Sequence, residues 1–146
     1  MKHVRRGPVH LLRLERGERL VETLTAFCRD RKIGAASFQG IGTCRRAELG
    51  YFRTARKRYS VRVFRGEYEI IALQGNVSIF EGKPFIHAHI VISGPDFLAR
   101  GGHLREAEVR ATCEVVLLPL PGHVGRTFER ASGLSLLEFR AGPSRR

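Results

Sequence analysis

From about residue 35 onward, apolar residues recur at every second position almost to the end of the chain, broken mainly at glycines and prolines. A period of two sends successive side chains to opposite faces, so each such run predicts a β-strand with one buried face. The runs cover residues 35–43, 47–52, 58–64, 67–80, 84–93, 109–118 and 134–140, and residues 9–14 read the same way. Gly66 and the Gly75-Asn76 pair mark a turn and a bulge or kink. Glu81-Gly82-Lys83 marks a turn, and Gly94-Pro95-Asp96 closes the strand before it. A loop or short helix is expected through Gly101-Gly102. One segment departs from the pattern. Within residues 18–32, Leu20, Val21, Leu24, Phe27 and Cys28 form a single helical stripe. Glu18 and Glu22 near its start, and Arg29, Arg31 and Lys32 near its end, complement the helix dipole, and Gly34 is a suitable stop. One helix followed by many strands, without helix–strand alternation, predicts an α+β fold: a mostly antiparallel sheet with a flanking N-terminal helix.

The 146 residues suit one domain spanning the chain, with its core over about 9–140 and short flexible basic ends at 1–7 and 141–146. The longest apolar runs, such as residues 70–73 and 115–118, are four residues, too short to span a membrane. No apolar stretch of signal-peptide length follows the basic start, so a cytoplasmic protein without a membrane partner is expected. Cys28, Cys44 and Cys113 are odd in number and widely spaced. They fit a reducing compartment and buried structural thiols better than a zinc knuckle.

Charge is the next constraint. Lys and Arg number 26 against 14 Asp and Glu, a net of +12, and arginine dominates. Arginine is a bidentate ligand for phosphate and carboxylate, which suits a polyanionic partner; a general basic bias that aids solubility is the plainer account. Eight basic residues fall between positions 45 and 65: Arg45, Arg46, Arg53, Arg56, Lys57, Arg58, Arg62 and Arg65. Glu48 is the only acid among them, so the segment carries +7. Tyr51, Phe52 and Tyr59 are interleaved. Such a hairpin can track a phosphate backbone, or it can be a solvated edge whose charges deter edge-to-edge pairing. No helix-turn-helix pattern accompanies it.

His87 and His89 stand at i, i+2 on a strand, so both imidazoles project from one face, about 7 Å apart along the backbone. Ile86, Ala88, Ile90 and Ile92 fill the other face. Two such rings can converge on one ion, and His103, behind Gly101-Gly102, is the candidate third ligand; the glycines let the backbone turn tightly and approach the strand. The alternative is a polar pair on a half-exposed face, satisfied by water or a carboxylate. No nucleophile motif or phosphate loop is present, and no catalytic residue is assigned. Glu69 is either a neighbouring carboxylate, as a partner or base of the histidine site, or a strand-face ion-pair residue.

The ordered set Gly40-Ile41-Gly42, Leu49-Gly50-Tyr51-Phe52, Tyr59, Tyr68-Glu69-Ile70, Gly75-Asn76, His87-Ala88-His89 and Gly101-Gly102-His103-Leu104 resembles the PPC ("plants and prokaryotes conserved") family over roughly residues 9–120. The resemblance is to the stand-alone prokaryotic type and implies a PPC-type fold assembled as a homotrimer. Its His-x-His and Gly-Gly-His pattern implies zinc or another divalent metal on His87, His89 and His103. Plant members bind AT-rich DNA through an AT-hook, and Arg5-Arg6-Gly7-Pro8 is only superficially like that hook. DNA binding is therefore expected only through the basic surface, without sequence preference. The leading expectation is a non-enzymatic, trimeric metal-binding protein that also binds nucleic acid. Two others stand beside it: a zinc-dependent enzyme for a small anionic substrate with Glu69 as acid/base, and a purely structural module.

Overall fold

A computed structural model of the chain describes residues 1–139. Its elements are β1 (Lys2–Arg6), β2 (Val9–Glu15), α1 (Leu20–Asp30), β3 (Ala36–Arg53), β4 (Arg58–Phe80), β5 (Lys83–Ser93), β6 (Ala99–Pro119), β7 (Gly125–Glu129) and β8 (Leu134–Glu138). The architecture is the expected one, a mostly antiparallel sheet with one helix. β3 to β6 form an up-and-down meander that closes on itself, because β6 pairs with β5 and also with β3. β2 joins the far side of β6, β1 pairs with β2, and the β7–β8 hairpin meets β4 through one parallel contact at Ile79 and Gly125. Among the described residues no helix is long and apolar enough to cross a membrane.

The alternation places the core on one face. Leu12 and Leu14 of β2, Ile86, Ala88, Ile90 and Ile92 of β5, and Val109, Cys113, Val115 and Leu117 of β6 are all buried. They pack with the α1 stripe of Leu20, Leu24, Phe27 and Cys28. The other face keeps apolar residues in contact with solvent: Val4, Leu11, Ile41, Ile71, Val116 and Leu118. All three thiols are buried, and burial pushes Cys28 and Cys113 up to about 12 and Cys44 up to about 11.

Several sequence boundaries shift. Residues 35–43 and 47–52 are one strand, as are 58–64 and 67–80. The breaks between them are register shifts within the β3 ladders, not turns. A further shift falls at Gly42, inside the first of these runs: its φ is +156°, and a Cβ there would lie 2.4 Å from the Thr112 carbonyl oxygen. Residues 1–7 are not a flexible end, since Lys2–Arg6 pairs along β2 after a Gly7-Pro8 turn. Gly101-Gly102 lie inside a strand, not in a loop or helix. The last strand ends at Glu138; its expected close at residue 140, and the end at 141–146, lie outside the described residues.

The helix start is held by the sheet. Arg19, its N-cap, makes no side-chain capping bond. Instead the buried Glu106 carboxylate of β6 accepts from the backbone N–H groups of Val21 (2.8 Å) and Glu22 (3.3 Å), and from its own strand neighbour Ala107 (2.9 Å). Donors at a helix N-terminus otherwise lack partners, and a carboxylate there also complements the dipole. Glu106→Ala is expected to cost about 2 kcal/mol in urea unfolding, and Glu106→Gln about half of that, because it keeps an acceptor but not the charge.

Candidate metal centre

His87 and His89 project from β5, and His103 comes from β6 directly opposite His89 in the ladder. Their neighbours Ala88, Ile90 and Leu104 point into the core, so the three imidazoles share the outer face. Ring centroids are 5.5 Å apart for His87–His89, 5.2 Å for His87–His103 and 5.4 Å for His89–His103. One nitrogen from each ring lies within 4.8 Å of the others. The close approach of strands here depends on small residues: a Cβ on Gly102 would lie 2.9 Å from the Gly50 carbonyl oxygen. The glycine pair thus lets strands run close together, and the tight turn expected there does not form.

The surroundings are polar on one side and aromatic on the other. The Tyr59 ring lies over His103 at 5.0 Å and rests on Gly50, where any Cβ would collide with it. On the β4 side Arg126 of β7 donates to His87 Nδ1 at 3.1 Å and to Asn76 Oδ1 at 3.0 Å. His87 and His89 also border an open groove of about 640 Å3 that includes Ser37, Gln39, Gln74 and Asn76. His103 Nδ1 is buried and has no hydrogen-bond partner among the described residues. Burial is costly for a lone polar nitrogen, so this atom fits an ion better than an apolar wall. Burial, with His87 and His89 nearby, pushes the His103 imidazole down to about 4. His87 is also lowered, first by burial and then by Arg126. Burial thus favours the neutral form of both rings, the form that ligation requires.

Glu69 does not belong to this cluster. It is exposed on β4 opposite Ser93, four positions along β5 from His89, or about 13 Å by strand rise. Its charge instead helps raise the Cys44 thiol. Arg126 escaped the sequence reading because residues 119–133 carried no assigned element. The only local signal was the short run 125–129 after Pro121-Gly122.

The eight basic residues do not form one surface. Arg53, Arg58 and Arg62 share one face of the β3–β4 hairpin, with Arg56 and Lys57 at its tip, and Arg46 and Arg65 lie opposite each other on the other face. Arg45 pairs with Glu108, and Arg46 with Glu48 at 2.9 Å. Lys57 donates to the Arg130 carbonyl at 2.9 Å.

The model of the Plants and Prokaryotes Conserved (PCC, or PPC) domain matches residues 1–121. The chain belongs to this family. Among solved structures, this PCC-domain protein is similar to a metal-containing protein from Archaeoglobus fulgidus, with 40% identity over 91% of this chain and 94% of that one and a TM-score of 0.86. It is similar to a plant- and prokaryote-conserved protein from Pyrococcus horikoshii, with 36% identity over 96% and 95% and a TM-score of 0.86. A protein from Bacteroides thetaiotaomicron, provisionally named as DNA-binding, shares 28% identity over 94% and 96% with a TM-score of 0.91. No curated protein matches the sequence.

The depressed His103 value has a consequence for stability. Between pH 6.5 and about 4 the unfolded chain protonates this ring while the folded chain does not, so stability falls as pH drops through that window. The loss, reduced for partial solvent access, is about 2 kcal/mol. Metal-free protein is therefore expected to melt at lower temperature at pH 4.5 than at pH 7. His103→Asn should remove much of that difference in parallel calorimetric scans.

Proposed function

We propose that this PCC-domain protein is a divalent-metal-binding protein, a single domain with zinc as its expected ion, whose ligands are His87, His89 and His103. The observation that carries the reading is the triangle of imidazole nitrogens within 4.8 Å, in a cluster where the buried His103 Nδ1 has no hydrogen-bond partner among the described residues. The metal-containing relative from Archaeoglobus fulgidus supports it. Three neutral nitrogen ligands suit zinc and leave a fourth position, through which a bound ion can supply Lewis acidity. The protein's own part is to hold the three rings on two paired strands and to shield His103 beneath Tyr59. An enzyme that uses Glu69 as acid/base is not favoured, since that carboxylate stands well away from the rings. Metal analysis of untagged protein prepared at pH 8 without chelator is expected to give close to one ion per chain and next to none in His89→Ala. Near-zero content in the wild type would reject the centre.

The assembly we propose is a homotrimer in the cytoplasm. The apolar outer face, with Leu11, Ile41, Ile71 and Val116 exposed, supports it, because symmetric copies of the chain would cover such a surface. Sedimentation equilibrium is expected to report three chain masses; a species of 16.5 kDa would contradict the trimer.

Nucleic acid is the proposed partner of the hairpin, supported by its charge and by the relative provisionally named as DNA-binding. Arg53, Arg58 and Arg62 on one face, with Arg56 and Lys57 at the tip, offer five positive charges. Five phosphate contacts give a slope of log K against log salt of about −4.5 on duplex DNA. Base sequence should matter little, because phosphate contacts carry no sequence information. Replacing Arg56, Lys57 and Arg58 by Ser is expected to weaken binding about equally on all sequences and to flatten the slope. Undetectable binding of the wild type at low salt would remove DNA as partner.

A further inference from the structure

The Arg126 guanidinium is almost fully engaged. Nε donates to Ser78 Oγ at 2.7 Å, Nη1 to the Ser135 carbonyl at 2.7 Å, and Nη2 to both Asn76 Oδ1 at 3.0 Å and His87 Nδ1 at 3.1 Å. The group lies over the Phe85 ring at 5.0 Å. Ser78, a fully buried residue, and Ser135, on β8, thus anchor the β7–β8 hairpin to the outer face beside the histidines. The hairpin lies beyond the residues that match the family model.

The bond to His87 has a chemical implication. Arginine can only donate, so His87 Nδ1 must accept. A neutral imidazole has one ring nitrogen with a free lone pair; if Nδ1 spends it on Arg126, the proton sits on Nε2. Neither nitrogen of His87 then has a lone pair left for an ion. His103 is in the opposite condition, with a buried Nδ1 that has no partner among the described residues. The same three rings are therefore a complete ligand set only when Arg126 releases one of them.

We infer that Arg126 is a resident cation that competes with the metal for His87, so that the C-terminal hairpin sets the metal affinity of the centre. The inference rests on the three-histidine reading above. Arg126 occupies the His87 lone pair, and its charge opposes a divalent ion a few ångströms away. When Nη2 leaves His87 it still has Asn76, while Nε and Nη1 keep Ser78 and Ser135, so release needs no undocking of the hairpin. Arg126 is thus a positioning residue that acts through His87.

The test is calorimetric titration of Zn2+ into metal-free wild type and Arg126→Met, a change that keeps an apolar side chain over Phe85. The variant is expected to bind tenfold more tightly or better. A merely structural anchor would give the opposite sign, so equal or weaker binding beside a wild type that binds normally overturns the inference. If neither protein binds Zn2+, the three-histidine reading itself fails and this one with it. A second measurement needs no variant. Nitrogen-15 spectra of the imidazoles in metal-free wild type are expected to show His87 protonated on Nε2 with a hydrogen-bonded Nδ1, a pattern lost on adding Zn2+. A proton on Nδ1 in the metal-free protein overturns the competition.

Discussion

The backbone at His103 is where the sheet closes. This one residue pairs with His89 on β5 and with Gly50 on β3, and those two ladders turn an open meander into a closed circuit. Closure positions everything near the histidines. It sets His103 opposite His89 rather than at the edge of a free strand, and it brings Tyr59 over the same ring through Gly50. Strand pairing is specified by alternation, since a slip of one residue would send Leu104 outward and His103 into the core.

The sequence spoke most clearly where a local period was enough. The α1 stripe and the buried line of Ile86, Ala88, Ile90 and Ile92 lie where alternation and helical spacing put them. Because the core face of β5 was legible, so was the common outward face of His87 and His89. Breaks in the pattern were harder to read. Near Gly66 an irregular ladder and a turn leave much the same mark on the sequence, an interrupted alternation beside a glycine. Only the partner strand tells them apart, since a bulge keeps the pairing and a turn ends it.

Contacts between distant residues were not legible at all. Arg45 finds Glu108 sixty-three positions away, and Arg126 finds His87 across thirty-nine. The basic segment was visible as a sum of charges, but its division between two faces depends on the register of β3 against β4. Glu69 looked like a neighbour of the histidines because strand order was unknown. The ladder places it beside Ser93, at the far end of β5. The site therefore divides by range: its ligand pair was written within three residues, whereas its environment was written in the topology.

The helix cap also bears on the order in which contacts form as the chain folds. α1 precedes β3 to β6 in the chain, yet the carboxylate that satisfies its first N–H groups belongs to Glu106, eighty-five residues after Val21. A helix of eleven residues is marginal in water without tertiary support. Its apolar stripe packs partly against β5 and β6, although Phe27 also meets His3 and His10 of the β1–β2 hairpin. Folding is thus weighted toward non-local contacts, with the loop-closure cost met before they form.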